Sequence, residues 1–495
     1  MTLKKITDMT EKEIIDYMLD NLEHNKKSKD KRGEVFTHPD LINKMLDLLP
    51  KSVWSQKFYK WLEPTAGLGF FSACVYLRLM KGLKTVIRNK KERSKHIIEK
   101  MLYMVELSKP NCNKINSWFG NEANILCGDF LSEKVHFPNI KFHCIIGNPP
   151  FQDNLGVTDK GKRVLGGKSK LYERIFLQAH GLLEEDGYLS FVVPDNMFSG
   201  NTMETYRILL SDQVKFVSFS KDIIDYFPKL YNISMCYFLL QKTSTNKGTT
   251  TIESNDNQQF DIVLQDRPVN PVSNWTKETE KLTNKYVSHK RNVAVYNRGK
   301  KLDEYKGDKY KLVYTPDRIL STSNSLLAIG LGSKKAILFL MSPNLEFKMD
   351  YKGQYGLGPN TFYIPFTTIK EGANLEKFLK SDDYKTLAMA TRTSRQFLKL
   401  AFVEYLNLDE IFQKSTFTKN KKPITNKKPI TNKKPITNKK PITNKKPITN
   451  KKPITNKKPI TNKKPITNKK PITNKKPITN KKPITNKKPI TNKKP

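Results

Sequence analysis

Asn148-Pro149-Pro150-Phe151 is the run whose residue types promise chemistry most directly. It follows the short apolar stretch Cys144–Ile146, where a strand would end. Prolines carry no N–H and fix the local backbone, so the Asn148 side chain and the Pro149 carbonyl become spare acceptors on a rigid turn. An –NH2 group held between two such acceptors commits both hydrogens to them and leaves its nitrogen lone pair better placed to attack an electrophilic carbon. Phe151 adds a flat face on which a ring can stack. Taken alone, the tetrapeptide reads equally well as a Pro-Pro turn closing a strand.

Three further groups fall at comparable places. Glu63-Pro64-Thr65-Ala66-Gly67-Leu68-Gly69 lies between a candidate strand and a helical pattern, and its glycines let backbone approach a ligand closely. Glu106 ends the strand Leu102–Val105, where a carboxylate can take ribose hydroxyls. Asp129-Phe130 follows Ile125–Leu126 and offers an acceptor for an amino group beside a ring face. Singly, these are a tight turn and two solvated acids. In series with the tetrapeptide, they occupy the carboxyl ends of successive strands, where open α/β sheets bind ligands.

The elements that must position them are legible as alternating short apolar runs and helical periodicity from Gly33 to Lys242, the pattern of a βαβ sheet. Candidate strands are Lys60–Leu62, Leu102–Glu106, Ile125–Leu126, Cys144–Ile146, Tyr188–Val193, Lys215–Phe219 and Met235–Leu240. Asp40–Leu49 and Phe70–Met80 read as helices. The last two strands are joined too briefly for much crossover helix, which predicts an antiparallel end to the sheet. Residues 1–30 read as one helix and a polar connection, and Thr243–Gln259 as a linker. Residues 260–415 read as a second domain, mixed α/β or β-rich, carrying target recognition.

From Lys421 to Pro495 the chain is twelve copies of Lys-Lys-Pro-Ile-Thr-Asn followed by Lys-Lys-Pro. A proline in every sixth position forbids helix, and the apolar content is too low to fold, so this stretch reads as a disordered Lys-rich tail. Taking away its 26 lysines leaves +16 of the net +42 on the first 420 residues, so the body itself suits a polyanionic partner. The five cysteines are odd in number with no C-x-x-C pair, which points to a reducing compartment and no structural zinc. The seven histidines show no ligand spacing, so no metal is expected. No apolar run approaches the roughly 18 residues of a membrane span, and the N-terminus has no signal-peptide core. The expectation is an intracellular protein, neither secreted nor in a membrane.

The set resembles the gamma-class, TaqI-like DNA adenine-N6 methyltransferases of restriction–modification systems over about residues 31–242. Gly33-Glu34-Val35-Phe36-Thr37 looks like the family's first motif, Glu63–Gly69 its cofactor loop, Glu106 its ribose-binding acid, Asp129 and Phe130 its adenine-binding pair, and Asn148–Phe151 its catalytic tetrapeptide. Tyr226-Phe227-Pro228 resembles the later motif whose aromatic, here Phe227, sandwiches the extruded base with Phe151. The resemblance implies a Rossmann-like class I methyltransferase sheet and S-adenosyl-L-methionine bound by Phe36, Thr37, Glu63, Pro64, Gly67, Gly69, Glu106, Asp129 and Phe130. It implies double-stranded DNA as partner and leaves room for a cognate restriction endonuclease. There are two departures. His38 stands where the family usually has proline, with Pro39 one place later, and Phe151 replaces the commoner tyrosine.

Cytosine-C5 transfer commonly uses a Pro-Cys pair, and the chain has no such dipeptide. DNA contacts are expected from Lys160, Lys162, Arg163, Lys168 and Lys170 in the Gly-rich stretch after the tetrapeptide. Lys290, Arg291 and Arg298, interleaved with tyrosines in 286–318, are a second group, with Arg392 and Arg395 on the same surface. Two other readings stay open: transfer to another amine (rRNA guanine-N2 or a protein glutamine), and a non-catalytic DNA-binding protein on this scaffold.

Overall fold

Period-two alternation along the strands divides their side chains between two cores, and this split builds the sheet. The computed structural model describes residues 4–27, 36–132, 137–151, 170–200, 203–227, 234–244, 248–272, 274–292, 295–297, 302–392 and 398–413. Among them β1 (Trp61–Glu63), β2 (Leu102–Glu106), β3 (Asn124–Cys127), β4 (Phe142–Gly147), β5 (Leu183–Pro194), β6 (Gln213–Ser218), β7 (Met235–Gln241), β8 (Thr250–Glu253) and β9 (Gln259–Ile262) form one sheet. Its order is β3-β2-β1-β4-β5-β7-β6-β8-β9. The first five strands are parallel, and β7 runs antiparallel between β5 and β6, the end expected from the short connection.

Trp61, Leu102, Met104, Cys144 and Ile146 face one core. They pack there with α1 (Glu11–Lys27), α2 (Pro39–Asp47), α3 (Phe70–Gly82) and, beyond α4 (Lys90–His96), α5 (Lys109–Phe119). Leu62, Tyr103, Val105, Ile145 and Phe191 face the other core, against α6 (Leu171–Leu182) and α7 (Met203–Ser211). Each large side chain so buried contributes about 1.5–3 kcal/mol of transfer free energy. The helices on both faces make this a doubly wound α/β sheet. β1 pairs with both β2 and β4. The chain leaves β1 for α3 on one face and β4 for α6 on the other, so a crevice opens between their carboxyl ends.

The structure revises three readings. α1 continues to Lys27, taking in residues read as a polar connection. The sheet does not end at 242: β8 lies inside the segment read as a linker, and β9 follows it. The sequence of β8, Thr250-Thr251-Ile252-Glu253, hides the strand because its two buried positions are one threonine and one isoleucine, too few apolar residues to show a period. Cys112 and Cys127, though far from a C-x-x-C spacing, are joined as a disulfide. β2 and β3 are parallel neighbours joined through α5, which brings the first turn of α5 back beside the end of β3.

Beyond the sheet, α8 (Lys277–Tyr286) leads into β10 (Val295–Asn297), β11 (Tyr310–Val313), β12 (Ile319–Thr322), β13 (Lys335–Phe339), β14 (Phe347–Asp350), β15 (Gly356–Leu357) and β16 (Thr361–Pro365). These make a four-stranded sheet, β10-β16-β13-β14, and a three-stranded one, β12-β11-β15. α9 (Ile369–Lys380), α10 (Asp382–Ala390), α11 (Leu400–Glu404) and α12 (Leu408–Phe412) pack on the larger sheet through Leu375, Phe378, Leu387 and Phe402, so this part is mixed α/β. Gly33–Val35, Lys160, Lys162, Arg163, Lys168, Pro228, Arg298, Arg395 and the repeat lie outside the described residues. No helix among those described is long and apolar enough to cross a membrane.

Candidate active site

The crevice is built from β1 outward. Gly69 begins α3 with no side chain to cap it, and the Glu63 carboxylate does so instead, accepting from Ser72 N at 2.9 Å and Ser72 Oγ at 2.7 Å. Glu63 is buried beneath the loop, so it holds the helix end and does not line the crevice. Burial pushes its carboxyl from the ordinary 4.5 up to about 8. A raised carboxyl favours folding while neutral. Its contribution is present below pH 4.5 and is lost as the pH climbs through about 8. Glu63→Gln keeps an acceptor for Ser72 and removes the titration. Urea melts are therefore expected to show the parent losing stability relative to the variant between those two pH values. Parallel pH profiles would contradict this role.

Above Glu63 the loop turns on Gly67 and Gly69, both left-handed at φ +57° and +76°. A Cβ on Gly67 would stand 3.2 Å from the Phe36 ring, and one on Gly69 would stand 3.1 Å from Phe119. Only glycine fits either place. Pro64 is buried at the base, in contact range of Gly147. Glu106, at the end of β2, ties the loop to the next strand, accepting from Gly67 N through Oε2 and from Ser108 N through Oε1, both at 2.7 Å. Asp129 is exposed beyond β3, and its Oδ1 accepts from Leu131 N at 3.0 Å.

Asn148 leaves the end of β4 half-buried, and its Nδ2 donates to Thr37 Oγ1 at 3.1 Å. The contact spans 111 residues of chain. With the nitrogen end held, Oδ1 is the end turned to other partners. The family pattern assigns Thr37 to the cofactor, and its hold on Asn148 is visible only in three dimensions. The neighbouring Phe36 ring stands against Gly67, so one short segment touches both the glycine loop and the tetrapeptide. Thr65 Oγ1 also donates to the Asn148 carbonyl at 3.4 Å. Pro149 is buried, Pro150 is exposed, and Phe151 is half-buried between the two cores.

His38, the departure from the family pattern, caps α2. Its Nδ1 accepts from Asp40 N at 3.1 Å, with Pro39 at the first helical position.

Several expected site residues are placed elsewhere. Phe130 is 5% exposed and packs into the core with Tyr103, Val105 and Phe142, so it presents no open face to a ligand ring. Phe227 is fully buried as well. Its half-buried neighbour Tyr226 is the accessible ring, 5.5 Å from His38. Lys170 pairs with Glu173 at 2.7 Å. Lys290 is exposed, as expected of a DNA contact, whereas Arg291 is tied to Glu404. Arg392 is buried and donates to the Ser342 carbonyl at 2.9 Å, so it is a structural residue rather than a surface one.

The residues present fit S-adenosyl-L-methionine: a turn with left-handed backbone at Gly67 and Gly69, a carboxylate on the Gly67 N–H at Glu106, and a second, exposed carboxylate at Asp129. Residues 44–224 match the model of the Eco57I restriction-modification methylase family. The chain is 27% identical to an uncharacterized adenine-specific methylase of Mycoplasma pneumoniae (strain ATCC 29342 / M129 / Subtype 1), covering 47% of this chain and 75% of that protein. Among solved structures, the methyltransferase subunit of a type I restriction-modification system from Streptococcus thermophilus is similar at 15% identity and TM-score 0.32, over 46% of this chain and 49% of that one. The DrdV–DNA complex is similar at 12% identity and TM-score 0.47, over 80% of this chain and 59% of that one. The family match and the curated relative bear out the resemblance to adenine-N6 methyltransferases.

Proposed function

We propose that this chain, which resembles the adenine-N6 methyltransferases, transfers a methyl group from S-adenosyl-L-methionine to the N6 amine of adenine in duplex DNA. The observation that carries the proposal is the placement of Asn148, held by Thr37 across 111 residues of chain beside the glycine loop that Glu106 clamps. When bound there, S-adenosyl-L-methionine supplies an electrophilic methyl on a sulfonium. The protein's part is then to orient the amine.

Adenine in a duplex must be extruded, at a cost of a few kcal/mol. Phe151 offsets part of that cost by stacking. Tyr226 takes the second face, since Phe227 is buried. Asn148 Oδ1 and the Pro149 carbonyl accept the two amine hydrogens and aim the nitrogen lone pair at the methyl carbon. No general base of matched pKa is required before transfer, because the neutral amine attacks and loses its proton afterwards.

Transfer to guanine-N2 in rRNA or to a protein glutamine would use the same clamp. DNA is favoured by the Phe36–Thr37 segment, which serves both loop and clamp from upstream of the sheet, and by the basic body. A retired scaffold is separated from an enzyme by calorimetry with S-adenosyl-L-methionine. Micromolar binding is expected, and no heat at high concentration would favour the non-catalytic reading.

The tail has two lysines in every six residues, no acid, and isoleucine as its one apolar residue. It can neutralise phosphates but cannot read bases. Each phosphate neutralised adds a slope of about −0.7 to −0.9 in log K against log salt. Truncation after Asn420 is therefore expected to flatten the salt slope of DNA binding by several units and to leave the methylation pattern unchanged. An unaltered slope removes the tail from DNA binding, and an altered pattern gives it a part in recognition.

A further inference from the structure

Lys399, just ahead of α11, stands out among the polar groups that the proposed reaction does not use. Its Nζ is buried and makes no hydrogen bond among the described residues. An ammonium held this way is costly, and proteins that keep one usually use it. Two charged groups act on it electrostatically: Asp195, in the turn after β5, and Lys170, at the head of α6, itself paired with Glu173. α6 runs for 12 residues, and Lys170 at its N-cap supplies no side-chain cap. The first turn of the helix thus adds a positive dipole end to the two ammonium groups.

The place matters. Gly147 of β4 pairs with Phe191 of β5, so Asp195, four residues on, stands at the same sheet edge as Asn148. The cluster joins that edge to the C-terminal part of the chain.

We propose that Lys399, with Lys170 and the N-terminal turn of α6, forms an anion site that takes a backbone phosphate of the bound DNA strand beside the catalytic turn. The site rests on the DNA reading given above. A phosphodiester supplies the acceptor oxygens that the buried ammonium lacks, and its negative charge suits both lysines and the helix end. Asp195 remains as the carboxylate that steadies Lys399 when DNA is absent.

Burial also lowers the Lys399 amine to about 8, well under the 10.5 of a free lysine. The group is charged below that value and neutral above it, so its grip on phosphate weakens as the pH rises through about 8.

The test is binding of a short fluorescent duplex by full-length parent, Lys399→Arg and Lys399→Met, in a salt series at one pH well below and one well above that value. The parent is expected to bind more weakly at the higher pH. The arginine variant, charged throughout, should hold its affinity. The methionine variant should bind about tenfold or more weakly at the lower pH, with a salt slope shallower by about 0.9. It should also melt close to the parent, since the ammonium removed is buried and makes no hydrogen bond that the variant would break.

Equal affinities and slopes for all three proteins overturn the site. So does a lowered melting temperature with unchanged DNA affinity, the mark of a structural lysine. If the Lys399 dependence appears but no methyl reaches DNA, the functional reading fails and the site stands. Methylation with no Lys399 dependence overturns the site and leaves the functional reading standing, and no duplex binding by any of the three overturns both.

Discussion

Replacing Asn148 by alanine is expected to lower methyl transfer by at least about a hundredfold while leaving S-adenosyl-L-methionine affinity unchanged. The loss is of that order because orientation of a reacting group, and of the acceptors that stabilise it, carries several kcal/mol of a barrier. The Asn148 amide is tied to Thr37, whereas the loop N–H of Gly67 is held by Glu106. Truncating the amide therefore removes the amine's acceptor without disturbing the loop. The Pro149 carbonyl survives in the variant and accounts for residual transfer. Single-turnover rates, with calorimetry in parallel, check this. A variant that transfers at the parent's rate, or one that loses the cofactor as well, places Asn148 outside the role given to it.

Glu106→Ala is expected to produce the reverse pattern. Its carboxylate accepts from Gly67 N and Ser108 N, so it shapes the glycine loop; in the function proposed it also takes the ribose hydroxyls. Losing charge-assisted hydrogen bonds worth about 1.5–3 kcal/mol should raise the cofactor dissociation constant by roughly ten- to a hundredfold. At saturating cofactor the transfer rate should recover most of its value, since Asn148 is untouched. Asp129, exposed and bonded locally to Leu131, should matter less under the same substitution. Calorimetric affinities decide the matter, and an unchanged constant for Glu106→Ala means the cofactor lies elsewhere.

The central sheet is legible because large apolar residues recur there at the periods of strand and helix. Ile145 and Ile146 fall in opposite cores, as period two demands, and the helix at 70–82 follows its glycine turn directly. Strand β8 is not legible, since threonines in a polar stretch give no apolar period. The ends of strands are readable as places for chemistry, so Glu106, Asp129 and Asn148 stand at or just past the carboxyl ends of β2, β3 and β4.

Which of two adjacent side chains faces the crevice is harder to read. Asp129 and Phe130 diverge, one exposed and one in the core, and so do Tyr226 and Phe227. Such one-residue choices are settled by the register of loops leaving the sheet, which no periodicity reports. Glu63 shows the same limit. Its place at the start of the glycine loop is clear from sequence, but its service as a cap for α3 depends on Ser72 folding back onto it. Arg392 reads as part of a basic surface, yet its guanidinium lies on a buried carbonyl. Lys399 carries no pattern at all, because its environment is assembled from α6, the end of β5 and the chain near 398.

The most direct measurement is incubation of the full chain with methyl-labelled S-adenosyl-L-methionine and unmethylated duplex DNA, followed by digestion to nucleosides and mass spectrometry. The account predicts label in N6-methyladenine, recurring in one sequence context and absent from the Asn148→Ala reaction. Label in a cytosine or guanine nucleoside, or transfer to RNA or protein while the DNA stays unlabelled, would contradict it.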